Sequence, residues 1–159
     1  MRKALEDFVR IHPTRSRDDL DEDGVRKLLV EQHGRLRVLM SALDEKAATV
    51  VCTCRPEPDM RAELEKVLQS LTDHICDEER ALVTLLPRTQ DSGRSLRLLR
   101  EDHALQLEEL DSMRRCAARS DDAITLALAI RAFVADVQLE MDLEDRRYLS
   151  VDGARDVQA

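Results

Sequence analysis

Three histidines and three glutamates occupy positions where a helical chain normally carries apolar side chains. They are His33, His74, Glu78, His103, Glu140 and Glu144. Each interrupts a series of apolar residues spaced three or four apart, which is the spacing of the buried face of a helix. Burying one such group without a partner costs several kcal/mol. Six of them facing one interior therefore predict a compensating cation, and a metal centre is the simplest source.

The spacing within two of the segments places pairs of these side chains on one helical face. His74 and Glu78 are four residues apart, as are Glu140 and Glu144, so the members of each pair lie one turn apart. Imidazole together with carboxylate suits iron or manganese, and zinc is an alternative. Six ligands exceed the four of a tetrahedral zinc site. They fit two metal ions bridged by carboxylates inside a helical bundle.

Four long segments with helical periodicity must position these residues. Loops around Pro56, Pro87 and Ser120 separate the segments, and the predicted helices span about 19–46, 59–86, 92–117 and 121–149. Short connections favour antiparallel neighbours, so the predicted fold is an all-α, up-down-up-down antiparallel four-helix bundle. The predicted domain organisation is a short N-terminal arm over 1–17, the bundle over 18–149 and a flexible C-terminal tail over 150–159.

Counting residues from the predicted turns tests whether the six candidates lie at the same height along the bundle axis. At 1.5 Å per residue, candidates on successive helices differ in height by only a few ångströms. Four independent helices would rarely agree in this way by accident. The sequence therefore predicts that the six side chains converge.

Composition supports a helical protein and excludes several kinds of partner. Glycine and proline number four each, aromatic residues make up 2% and charged residues 36% of the 159 residues, which is typical of helices rather than strands. The net charge of −8 argues against sequence-independent nucleic-acid binding and against anionic membranes. No apolar run is long enough to span a bilayer, and the N-terminus is too charged for a secretory signal. We expect a soluble, cytoplasmic protein.

Four motifs resemble those of the hemerythrin-like (HHE cation-binding) family. They are Glu31-Gln32-His33, His74-Ile75-Cys76-Asp77-Glu78-Glu79, Glu101-Asp102-His103 and Glu140-Met141-Asp142-Leu143-Glu144. The resemblance covers about residues 20–148, nearly the whole chain, and is with the bacterial type. It implies a non-haem di-iron protein with two iron ions joined by an oxo or hydroxo bridge. It also implies that Glu78 and Glu144 are bridging carboxylates and that the three histidines occupy family histidine positions.

Two positions depart from the family pattern. Glu140 stands where the fourth helix usually carries histidine. Leu107, on the predicted buried face of the third helix, stands where oxygen carriers have a further histidine. Anionic ligands favour the more oxidised metal, so reversible oxygen carriage is disfavoured. The resemblance then implies reaction with, or sensing of, O2, H2O2 or NO, including oxidase-like or peroxidase-like activity.

Several alternatives remain open. The chain is alternatively an iron-sensing or redox-sensing module that binds a partner protein, or a metal-free bundle in which histidines and glutamates pair. Glu140 either binds metal or turns to solvent and leaves a five-ligand site. Four further acidic residues near the motifs are interpreted as charges on solvent-facing sides, and the alternative is that one of them enters the ligand shell through a rotation of its helix. They are Asp77, Glu79, Asp142 and Asp145.

The cysteines allow one further hypothesis. Cys52, Cys54 and Cys116 lie at the same end of the predicted bundle, where they would form a redox-responsive disulfide. Free thiols are the alternative, because a reducing cell keeps cysteines reduced. Cys76 is predicted to be a small packing residue that points away from the histidine face.

Overall fold

The computed structural model describes residues 21–85 and 90–146. Within these ranges lie four helices and no strand: α1 (Glu22–Thr53), α2 (Met60–Leu85), α3 (Gln90–Arg119) and α4 (Ala123–Glu144). The predicted all-α class is confirmed. None of these helices combines the length and the apolar character that a bilayer-spanning segment requires. The predicted arm over 1–17 and tail over 150–159 lie outside the described residues.

The ends of the helices follow from local capping chemistry. Asp21 caps α1 by accepting the backbone N–H of Gly24 at 2.9 Å, and Asp122 caps α4 in the same way. Helix α1 continues well beyond its predicted end near residue 46, because Ala47 and Val50 extend the buried face and are 0% exposed. It ends at Cys54, whose left-handed φ of 53° closes the last turn.

Ion pairs and hydrogen bonds show that neighbouring helices are antiparallel. Between α1 and α2, Gln32 contacts Asp77 whereas Lys46 contacts Glu63, so residue number rises along one helix as it falls along the other. The same inverse order holds between α1 and α4 and between α2 and α3. Each helix packs on two neighbours in the cyclic order α1–α2–α3–α4, with the α3–α4 pair in least contact. The chain is an up-down-up-down four-helix bundle.

The apolar interior is divided into two unequal parts. The larger cluster contains buried residues from all four helices, among them Leu43, Leu68 and Ile130. The smaller cluster consists of Val25, Leu29 and Leu99 at the other end of the bundle, where α1 and α3 begin. A layer of buried histidine and glutamate side chains separates the two parts. This polar layer is therefore screened from solvent by apolar residues on both sides.

The redox-responsive disulfide remains a prediction, because a bond that forms on oxidation is not tested by a structure with free cysteines. All four are free thiols: Cys52 and Cys54 are exposed and Cys116 is half-buried. Cys76 is exposed rather than packed, so its predicted packing role was wrong. It does point away from the buried histidine face of α2, because it lies two residues beyond His74.

Candidate metal centre

Four side chains of the polar layer are close enough to share one cation. His33 comes from α1, His74 and Glu78 from α2 and Glu144 from the end of α4, and one ligand atom of each lies within 4.8 Å of the others. We call these four residues the primary cluster. Its histidines and Glu78 are buried. A buried set of two imidazoles and two carboxylates could hold a metal ion, because these ligands suit first-row transition metals.

His103 of α3 lies beside the primary cluster and shares Glu78 with it. Its Nε2 is 3.4 Å from Glu78 Oε2, the same oxygen that lies 3.5 Å from His74 Nε2. Glu78 Oε1 and both ring nitrogens of His103 are buried and have no hydrogen-bond partner among the described residues. Buried polar atoms without a partner are rare and destabilising. Glu78 Oε2 therefore lies near two imidazole nitrogens, while its Oε1 has no described partner.

The outer ring nitrogens of two histidines bind oxygen atoms, which fixes their tautomers. Gln32 donates from its Nε2 to Asp77 at 3.2 Å, so its Oε1 faces His74 Nδ1 at 3.2 Å and accepts from it. His33 Nδ1 donates to Asp145 Oδ1 at 2.7 Å. Both rings thus carry a proton on Nδ1 and direct Nε2 towards the interior. Orienting a ligand histidine through its other nitrogen is the usual arrangement at protein metal sites.

The Nε2 atoms of His33 and His74 face the interior and lie very close to each other. His33 Nε2 lies 2.9 Å from His74 Nε2, and two imidazole lone pairs at that distance repel each other. The contact is stable only with a proton or a metal cation between the nitrogens. Two nitrogens each about 2.0–2.1 Å from one cation and at right angles lie about 3 Å apart. The spacing of this pair therefore fits a shared metal ion.

Burial and neighbouring charges shift the pKa values of the ionisable side chains in the polar layer. Burial lowers the pKa of His74 to about 4, so this ring is neutral at neutral pH and its Nε2 lone pair is free to bind metal. Burial, followed by the charge of Glu78, raises the pKa of Glu144 to about 7. Burial alone would lower the pKa of His103, but the carboxylates of Glu78, Glu144 and Glu79 outweigh it and the pKa is raised.

Glu140 does not belong to the primary cluster. It is half-buried and accepts a hydrogen bond from Gln106 Nε2 at 3.1 Å, while the same nitrogen lies 3.3 Å from Glu144 Oε1. Burial, followed by the charge of Glu109, raises the pKa of Glu140. Gln106 was not predicted as a site residue, although it follows His103 by three residues and so lies on the same helical face.

Two of the acidic residues interpreted as solvent-facing contact candidate ligands directly, and a third contacts the Gln32 side chain that binds His74. Asp145 binds His33, Asp77 binds Gln32, and Glu79 Oε1 lies 3.5 Å from His103 Nδ1. That interpretation was therefore wrong for these three residues. It holds for Asp142, whose side chain is 53% exposed. Partial burial raises the pKa of Asp145, but hydrogen bonds from His33 and Arg37 outweigh it and hold the pKa below its ordinary value.

Replacing Asp145 by asparagine should weaken metal binding about ten- to a hundredfold, because the His33 ring loses the carboxylate that orients it. The matched control is Asp142→Asn. Arg37 lies 2.7 Å from both carboxylates, but only Asp145 touches His33. Equilibrium titration with Co2+ measures the affinities. Equal affinities for the two variants would show that Asp145 acts only through Arg37.

Comparison with known proteins identifies no relative of this chain. No protein-family model, curated protein or solved structure matches this chain. The hemerythrin-like resemblance therefore remains a prediction based on the motifs themselves. The assignment of the six candidates as ligands also remains a prediction, although the structure places His33, His74, Glu78, His103 and Glu144 in one layer, with Glu140 at its edge.

Proposed function

We propose that this protein is a hemerythrin-like, non-haem di-iron protein that reacts with or senses O2, H2O2 or NO. The observation that carries the proposal is the layer of inward-facing histidine nitrogens around the buried Glu78 carboxylate. His33 and His74 direct Nε2 inward, at 2.9 Å from each other, and His103 Nε2 lies 3.4 Å from Glu78. A buried charge of this kind requires a compensating partner.

The side chains divide into two groups that would each hold one ion. His33, His74 and Glu144 would hold the first ion together with Glu78, whereas His103, which also approaches Glu78, would hold the second. Glu78 would bridge the two, because its Oε2 lies within 3.5 Å of the nitrogens of both His74 and His103. Iron in these positions would supply electrons to a small oxidant that the protein side chains cannot reduce. Manganese and zinc are the alternative metals.

The balance of ligands favours oxidation over reversible oxygen carriage. Leu107, at the position of a carrier's further histidine, is 36% exposed and offers no nitrogen. Glu140 offers a carboxylate in place of an imidazole and is already bound to Gln106. A centre poor in imidazole and rich in carboxylate stabilises the more oxidised metal. The two apolar clusters lie on either side of this centre and limit the access of water to it.

Two alternative functions, a metal-free bundle and a sensing module, would use the same residues in different ways. A metal-free bundle would have to rely on the ion pairs of His103 with Glu78 and Glu79, at 3.4 and 3.5 Å. Among the described residues, it would leave Glu78 Oε1 and the two His103 nitrogens without a well-formed hydrogen bond, and a buried unsatisfied polar group costs about 1–3 kcal/mol. A sensing module would use the same ligands, but its bundle would change packing when the metal leaves. The unpartnered atoms therefore favour a metal protein over the metal-free bundle.

Metal quantification on protein expressed with iron tests the proposal. We expect about two irons per chain, since a carboxylate-bridged site inside a bundle holds a metal pair. Ligand-to-metal charge-transfer absorption should appear in the oxidised protein and change on addition of H2O2 or NO. One ion per chain would reduce the centre to the primary cluster. Protein that binds no transition metal after reconstitution would refute the proposed function.

A further inference from the structure

A surface groove lies between α3 and α4, directly outside the polar layer. Its volume is about 260 Å3, and Asp102, Leu105 and Leu143 are among the residues that line it. Leu105 and Leu143 are 65% and 55% exposed. Of the neighbouring helix pairs in the described bundle, α3 and α4 make the least contact. The groove thus follows the most weakly packed seam of the protein.

A small cavity lies on the inner side of the same seam. It has a volume of about 20 Å3, and His74 and Glu78 are among its lining residues, so it has room for roughly one water-sized species. Gln106, Glu140 and Glu144 line both the cavity and the groove. The Gln106 amide lies 3.1 and 3.3 Å from the two carboxylates. These three side chains therefore form the partition between the outer groove and the inner cavity.

The charges along this seam select a cation. Carboxylates line the groove at Asp102 and Glu140 and the cavity at Glu109 and Glu78. None of the described residues that line either space is lysine or arginine. Clefts that carry one sign of charge concentrate oppositely charged ions. At the inner end, Glu78 Oε1 is buried and has no hydrogen-bond partner within residues 21–85 and 90–146, and this carboxylate is 1% exposed.

We propose that the α3–α4 seam is the route by which a divalent transition-metal cation enters the polar layer. Gln106 acts as a positioning residue that closes the route by holding Glu140 and Glu144 together. The entering cation replaces the Gln106 amide as the partner of these two carboxylates and then moves to the histidines. This inference rests on the proposed metal binding, but it concerns the path and rate of entry rather than the final ligands.

Placing a positive charge at the mouth of the groove tests the route. Leu105→Lys in the metal-free, full-length protein should slow Co2+ uptake, followed by absorption, about three- to tenfold at low ionic strength. The control is Val38→Lys on α1, because Val38 is also 65% exposed and lines neither the groove nor the cavity. Added salt should reduce the difference between the variants. Both variants should reach the stoichiometry of the parent protein.

Gln106 is tested separately by two substitutions. Gln106→Ala should accelerate both Co2+ uptake and its removal by a chelator about tenfold, since charge-assisted hydrogen bonds close the partition. Gln106→Met keeps the length of the side chain but removes the amide, and it should be equally fast. Parent-like rates for the methionine variant would overturn the role of the hydrogen bonds. Equal uptake rates for Leu105→Lys and Val38→Lys would overturn the route alone, whereas a parent protein that binds no Co2+ would overturn both this inference and the proposed function.

Discussion

Replacing His74 by alanine should lower the affinity for metal by at least about a hundredfold, because loss of an outer-shell partner alone costs ten- to a hundredfold. His74 is buried and contributes an inward Nε2 that lies 2.9 Å from His33 and 3.5 Å from Glu78. Its loss removes one of the two imidazoles of the primary cluster. Metal content after reconstitution and gel filtration measures the effect.

A control separates loss of a ligand from loss of stability. Leu68→Ala on the same helix removes a side chain that is 0% exposed and should reduce the free energy of unfolding by about 2–5 kcal/mol. Leu68 belongs to the larger apolar cluster, so this variant should bind metal like the parent protein. If His74→Ala retained its metal, or if Leu68→Ala lost it equally, the primary cluster would not be the binding site.

Removing the metal should loosen one end of the bundle more than the other. The cation stabilises the folded state by about 4 kcal/mol at a thousandfold excess over its Kd, and amides at both ends lose that protection. The end with Val25, Leu29 and Leu99 should lose more, because among the described residues its apolar cluster is the smaller of the two and lies directly against the polar layer that has lost its cation. The other end keeps a large apolar cluster from all four helices. Hydrogen exchange before and after chelation, followed by mass spectrometry, measures the difference.

Specific peptides provide the comparison. Exchange over 24–33 and 96–103 should accelerate by at least about tenfold more than exchange over 126–134, which corresponds to a difference of about 1.4 kcal/mol in opening free energy. The chelator should have no effect on His74→Ala, since this variant holds little metal. A uniform change along the chain would mean that the bundle opens as one unit. A large acceleration of exchange confined to 24–33 and 96–103 would favour a sensing role over a catalytic one.

The sequence predicted the helices and the buried layer because both depend on one periodicity. Steps of three and four residues identify the inward face of each helix, and the same steps identify the polar residues that interrupt it. The position of Leu107 shows where this reasoning failed. It was predicted as buried but is 36% exposed, because α3 turns Gln106 inward between His103 and Leu110. The three-residue step from His103 to Gln106 is as regular as the four-residue step to Leu107, and periodicity alone does not choose between them.

The outer partners of the histidines were missed for a different reason. Gln32 precedes His33, Glu79 follows Glu78 and Asp145 follows Glu144. Such neighbours point about 100° away from the inward face, so they look solvent-facing on an isolated helix. In the bundle they reach across to the adjacent helix and contact its histidine. A residue next to a predicted ligand is therefore a candidate outer partner whenever a neighbouring helix packs against that side.

The weak contact between α3 and α4 makes α3 the helix that can move most easily relative to the others. Helix α1 packs closely on both α2 and α4, so these three helices form a stiff frame, and α3 brings only His103 as a buried histidine. A change in metal oxidation state alters ionic radius and bond lengths. The resulting strain would be relieved mainly by displacement of α3 against that frame. An electronic event at a metal held in this layer would thus be converted mainly into movement of α3.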